Sequence, residues 1–194
     1  MGRGVTIGIG VKIQNPQFVS IGDDTWIDDY VIILAGPVSR GDRRIVERPN
    51  DDYLGNEGEV HIGPRCHIAP FVICSGHAGL SIGADSGVAS GAKLYSLSHH
   101  VANKGEPDTR EHPYLWSPRV PGNRQTLIAG PVVLQDATGV GLNSVVLPGS
   151  TIESGALVGI GVTVSGRVRG GVTVSATTPT REKDRWDTPA GNSH

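Results

Sequence analysis

Residues 128–164, IAGPVVLQDATGVGLNSVVLPGSTIESGALVGIGVTV, return a branched or long aliphatic side chain at every sixth position: Ile128, Leu134, Val140, Val146, Ile152, Val158 and Val164. A helix repeats every 3.6 residues and a strand every 2, so a period of six belongs to neither. It marks a structural repeat, whose short units cannot bury an apolar face alone and do so by stacking.

The same period runs through four upstream blocks: Ile7 and Ile13; Ile21, Ile27 and Ile33; Ile62, Ile68 and Cys74; Ile82, Val88 and Leu94. A small or acidic residue often follows, as at Gly22, Asp28, Gly63 and Gly83, and a small or branched one comes four positions on, as at Thr25, Cys66 and Ser86. That is a short strand, a tight turn and another short strand, with glycine serving the turns. Three such strands close one triangular coil, and coils stack about 4.8 Å apart through parallel-sheet hydrogen bonds.

The period breaks four times: after Ile13, Ile33, Cys74 and Leu94. Counting Ile7 as face two, with Ile128 opening a new coil on face one, every break falls between faces three and one. About six triangular coils are expected, with long loops over roughly 35–60 and 97–127 leaving from one edge. Loops of that length are usually functional or disordered.

Composition agrees with an all-β chain: 28 Gly and 13 Pro in 194 residues, and 5% aromatics. One domain is expected over 1–176, with a tail at 177–194 in which 179–186 is the best candidate for a short helix. A net charge of −2 gives no electrostatic case for nucleic acid. No apolar run suits a membrane span and no signal-peptide pattern opens the chain, so a cytoplasmic protein is expected. Cys66 and Cys74 fall on repeat positions and read as small core hydrophobes rather than a disulfide or metal pair.

The runs Ile21-Gly22-Asp23-Asp24-Thr25-Trp26, Ile62-Gly63-Pro64-Arg65-Cys66-His67 and Val140-Gly141-Leu142-Asn143-Ser144-Val145 resemble the hexapeptide repeats of the left-handed parallel β-helix acyltransferases. The stretch Lys93-Leu94-Tyr95-Ser96-Leu97-Ser98-His99-His100, with the later Gly130-Pro131-Val132-Val133-Leu134, is closest to sugar O-acetyltransferases of surface-polysaccharide synthesis. The left-handed winding comes from the resemblance alone, since parallel crossovers are otherwise right-handed. The resemblance also implies a homotrimer, acetyl-CoA as co-substrate, a sugar acceptor, and a cleft between neighbouring columns where the two meet.

In this family a histidine near the start of the mid-column loop is the general base, taking the acceptor's proton as it attacks the thioester carbonyl. Imidazole, with an ordinary pKa near 6.5, suits that role at neutral pH. The resemblance puts His99 in it, with His100 one residue away. Glu106, Asp108 and Glu111 could orient the ring, and the Gly130 N–H is a candidate oxyanion donor. His77, at the same broken corner one coil below, is a candidate substrate contact. Tyr114 and Trp116, beside His112, could form a lid. His61 and His67 are expected to point outward. For coenzyme A the resemblance implies Gly159 and Gly161 along a pantetheine groove, and Arg167, Pro179 and Arg181 near the nucleotide. Only Pro179 and the basic residue of the family's Gly-x-Pro-Ala segment survive here, since Thr177 and Thr180 replace its Gly and Ala.

Two other readings stand beside acetyl transfer. A zinc hydratase on the same column, similar to γ-class carbonic anhydrases, needs three converging histidines; no Gln-Asp pair leads into a histidine, and the spacing of His61, His67 and His77 does not match. A non-catalytic solenoid explains the column but not a histidine-bearing loop of this length. The acceptor, O- against N-acylation, and acyl length are not legible.

Overall fold

The computed structural model describes residues 1–99 and 120–176. The described chain is almost entirely short strand and tight turn. Coil one is partial, with β1 (Thr6–Ile7) and β2 (Lys12–Gln14). Coil two has β3 (Val19–Ile21), β4 (Trp26–Ile27) and β5 (Ile32–Leu34). A first excursion carries β6 (Arg44–Glu47). Coils three and four follow as β7 (Val60–Ile62), β8 (His67–Ile68), β9 (Ile73–Ser75), β10 (Leu80–Ile82), β11 (Gly87–Val88) and β12 (Lys93–Tyr95). A second excursion begins with β13 (Leu97–His99) and ends with β14 (Thr126–Ala129). Coils five and six are β15 (Val132–Leu134), β16 (Gly139–Val140), β17 (Val145–Val146), β18 (Thr151–Ile152), β19 (Leu157–Val158) and β20 (Thr163–Val164). A partial last coil has β21 (Arg167–Val168) and β22 (Thr173–Val174).

These strands form three parallel sheets, the faces of a prism. Face one is β3-β7-β10-β15-β18-β21, face two is β1-β4-β8-β11-β16-β19-β22, and face three is β2-β5-β9-β12-β17-β20. The sixfold residues point inward and stack: Ile27, Ile33, Ile68, Cys74, Ile82, Val88, Leu94, Leu134, Val146 and Ile152 are all essentially inaccessible. Cys66 is buried as well, and both cysteines are unpaired core side chains.

Each turn between faces two and three places one residue in the left-handed region. Gly10, Gly91, Asn143 and Gly161 take it at low cost, but Tyr30 (φ 59) and Phe71 (φ 62) do so with bulky side chains. Their rings stack at 5.4 Å, with planes 6° apart. Stacking worth about 0.5–1.5 kcal/mol offsets much of the backbone strain.

The irregularities lie on one edge, as the period implies. Both excursions and both eight-residue spacings fall between faces three and one. So does a shortening, with four residues from Val164 to Val168 and Gly166 turning the corner at φ 97.

The structure corrects the register after the second excursion. Ile128 is outside the column, on β14, and coil five opens at β15 with Leu134 opposite Ile82. Leu134, Val140 and Val146 therefore occupy faces one, two and three, rather than two, three and one. The six-residue step from Ile128 to Leu134 is a coincidence of spacing. Between them Gly130 and Pro131, the latter without a backbone N–H, turn the chain from β14 back onto the prism.

The excursions also contain more structure than two loops. β13 pairs antiparallel with β14, and β14 pairs parallel with β6, so both build one three-stranded side sheet. Beyond β6 the first excursion becomes a strap over face one. Asn50 donates its amide to the Pro131 and Ser150 carbonyls at 3.1 and 3.2 Å, and the Thr151 hydroxyl donates to Asp52 at 2.8 Å. Gly130 is required here for space, because a Cβ would strike the Arg48 carbonyl.

Candidate functional site

At the edge between faces three and one, three rungs end side by side. The Gly76 N–H donates to the Leu34 carbonyl at 2.8 Å, and the Ser96 N–H donates to the Ser75 carbonyl at 2.9 Å. The fully buried Ser96 hydroxyl donates to Ser75 O at 2.8 Å and accepts from the Ala78 N–H at 2.9 Å. This lattice fixes the short bend that carries His77.

His77 is half-buried, and its Nδ1 lies 2.9 Å from the Gly36 carbonyl. A carbonyl only accepts, so Nδ1 carries the proton, and in the neutral ring Nε2 is left as proton acceptor. His99 ends β13 opposite Leu127 and is exposed, with no polar partner among the described residues. The register Tyr95 opposite Ser75 ends the two rungs side by side, so the bend with His77 and the start of β13, which His99 ends, leave from the same edge. His100, Tyr114 and Trp116 lie outside the described residues, as do His112, Glu106, Asp108, Glu111, Pro179, Arg181 and the 179–186 segment.

Two of the expected coenzyme contacts are otherwise engaged. The Gly130 N–H donates to the Ser96 carbonyl at 2.9 Å, so it is not a free oxyanion donor. Arg167 sits on face one between Asp52 (2.6 Å) and Glu153 (2.8 Å), two carboxylates that raise its pKa and neutralise its charge. It ties the strap to the last coil rather than facing an open phosphate site. Gly159 does line an apolar groove of about 520 Å³ on face two, with Gly87, Gly139, Val140, Leu157 and Ile160. Gly161 turns the adjoining corner.

The other two described histidines point outward. His67 on face two meets Asp28 at 2.7 Å, and Trp26 edge-on at 6.4 Å between ring centroids. His61 on face one bonds Ser20 and Glu59. His77 lies on the edge between faces three and one, and the three rings do not come together. Among the described residues no group of three metal-binding side chains is brought together.

Sequence reasoning missed the strap anchors Asn50 and Asp52, the Gly36 contact that sets the His77 tautomer, and the Ser20–His61–Glu59 chain. The strap anchors and the Gly36 contact join residues far apart in sequence with no periodic mark, and Ser20 and His61, though each precedes a sixfold residue, carry no sign of Glu59.

No protein-family model matches the chain. A solved structure of a variant of AntD, an N-acyltransferase from Bacillus cereus bound to dTDP and coenzyme A, superposes with TM-score 0.66. It is 22% identical, over 87% of this chain and 74% of that one. The fold is that of the hexapeptide-repeat acyltransferases. The column is thus a left-handed parallel β-helix, like theirs. A hexapeptide-repeat-containing acetyltransferase from Vibrio cholerae, complexed with acetyl coenzyme A, gives TM-score 0.50 at 17% identity, over 92% of this chain and 66% of that one. In sequence, the dTDP-4-amino-4,6-dideoxy-D-glucose acyltransferase of Escherichia coli is 23% identical over 159 residues, covering 82% of this chain and 68% of that protein.

Proposed function

We propose that the protein transfers an acyl group from an acyl-coenzyme A to an amine or hydroxyl of a sugar, a nucleotide-linked amino sugar foremost. The observation that carries this reading is the single edge of the prism where both excursions leave, beside the bend that carries His77 and the side-sheet strand that carries His99. The names of the Bacillus cereus and Escherichia coli proteins support an amino-sugar acceptor. The acetyl-coenzyme A complex of the Vibrio cholerae protein supports acetyl among the acyl groups.

The acceptor's nucleophile bonds to the thioester carbonyl carbon as its proton passes to a histidine, the carbon–sulfur bond breaks, and coenzyme A leaves as the thiol, taking that proton. The family resemblance points to His99 or His100. The geometry favours His77, because its tautomer is already set with Nε2 as acceptor, whereas the His99 ring has no partner to orient it among the described residues. Gly159 and the face-two groove suit a pantetheine arm. In a triangle, face two lies opposite the edge between faces three and one. A cleft holding both the groove and the histidines therefore needs two columns, which supports the homotrimer.

The test is thiol release from acetyl-coenzyme A and longer acyl-coenzyme A with a panel of dTDP-amino sugars and neutral sugars. His77→Asn is expected to lower kcat by roughly two to four orders of magnitude, the usual worth of a general base, and His99→Ala by less than tenfold. The reverse result returns the role to His99. No turnover with any acceptor overturns the reading.

A further inference from the structure

On face one, three side chains form a chain of hydrogen bonds. Ser20 of β3 and His61 of β7 are directly opposed on adjacent rungs and point outward. Ser20 Oγ lies 2.7 Å from His61 Nδ1, and His61 Nε2 lies 3.0 Å from Glu59 Oε2.

The order of donors follows from the far end. Glu59 accepts from the Asn56 N–H at 2.9 Å and from the Asn56 amide at 3.0 Å, and these bonds hold its carboxyl down to about 2. Ionised, it only accepts, so the proton on that side is on His61 Nε2. Neutral His61 then presents the Nδ1 lone pair to Ser20, whose hydroxyl must donate. This is the arrangement of a hydroxyl activated by an imidazole that a carboxylate orients, with the two ring nitrogens exchanged relative to the familiar serine-protease triad.

Ser20 is exposed. The strap closes over the far side of the imidazole so tightly that a Cβ on Gly55 would lie 2.9 Å from Nε2 and 2.6 Å from the Tyr53 hydroxyl. Tyr53 is itself locked, donating to the Asn56 and Glu59 carbonyls, both at 3.0 Å. A hollow of about 360 Å³ opens on the Glu59 side of His61, walled by Tyr53, Leu54, Gly55 and Ser81, while Ser20 on the other side of the ring faces open solvent.

We propose that Ser20, His61 and Glu59 form a second reactive centre, in which Ser20 is a nucleophile toward small activated acyl esters. Ser20 Oγ bonds to the acyl carbon as its proton passes to His61 Nδ1. The carbon–oxygen bond to the leaving alcohol breaks, and that alcohol takes the proton from His61. Water then attacks the acyl-serine, giving its proton to His61, which returns it to Ser20 as the carboxylic acid departs. No oxidant or metal is needed.

The probes are p-nitrophenyl acetate and a fluorophosphonate, used on the full-length protein. Intact mass and peptide mapping are expected to find one adduct, at Ser20. Nitrophenolate release is expected to fall at least a hundredfold in Ser20→Ala and His61→Asn, and about tenfold or more in Glu59→Gln. Ser20→Cys gives a readout that survives loss of turnover, because Cys66 and Cys74 are buried. Its thiol should be alkylated by iodoacetamide at pH 7 at least tenfold faster than in the Ser20→Cys, His61→Asn double variant. Either an unlabelled Ser20 in the wild type or equal alkylation of the two cysteine variants overturns the proposal. Acyl-coenzyme A turnover should persist in Ser20→Ala, which separates failure here from failure of the transferase reading.

Discussion

Glu59 ties the end of the strap through bonds to Asn56 and His61. Its carboxyl is lowered from 4.5 to about 2, first by the Asn56 N–H, then by the Asn56 side chain and by His61. A depressed folded pKa stabilises the fold above the unfolded value and loses that effect as pH falls through the folded one. Its contribution is therefore complete above about 4.5 and vanishes on the way to 2. A carboxyl-carbon NMR titration should give a Glu59 midpoint near 2, and the acid-induced fall in melting temperature should be shallower in Glu59→Gln. A midpoint near 4.5 would show that the bonds to Asn56 and His61 are absent in solution. At this scale the sequence was partly readable. Cys66 and Cys74 are inside, where burial pushes the Cys74 thiol up to about 12, and His61 and His67 face outward. The partners that engage Gly130 and Arg167, Ser96 and Asp52, come from other segments of the chain and left no mark in the local sequence.

Among the elements, the strap and the side sheet were invisible to periodicity. The six-residue period reports side chains that point into the prism, and neither excursion contributes to that interior. The same blindness shifted the register after the second excursion, since Ile128 matched the spacing while belonging to a different sheet. The strap is held to the last coils by Asn50, by Asp52 with Arg167, and by Thr151. Arg167 makes two exposed ion pairs, and such pairs contribute about 0–1 kcal/mol each, so Arg167→Ala should lower the melting temperature by no more than about 8 °C. Limited proteolysis within 48–59 should nonetheless accelerate several-fold, because the anchor lost is local. Unchanged cleavage would mean that Asn50 and Thr151 suffice.

The whole molecule is a prism with unlike sides. Face one is covered by the polar strap. The edge between faces two and three carries the exposed Tyr30, Phe71, Leu142 and Ile160, and face two adds Trp26 and Leu157. Apolar surface concentrated on one flank is what self-association covers. The proposed trimer predicts a solution mass three times the 20.3 kDa chain by light scattering. Leu157→Glu with Ile160→Glu should shift it to the monomer and abolish acyl transfer together. A monomeric active wild type would remove the two-column cleft. The column itself was readable because a stack of rungs repeats one packing problem many times, and any sequence that solves it must show the period.

The joining of β13, β14 and β6 into one sheet has an evolutionary corollary. A chimaera that imports only one excursion from a relative would strand a hydrogen-bonding edge that its native neighbour had covered. New acceptor preferences in this scaffold are therefore expected to be inherited as a cassette, both segments travelling from a single donor while the prism beneath stays unchanged.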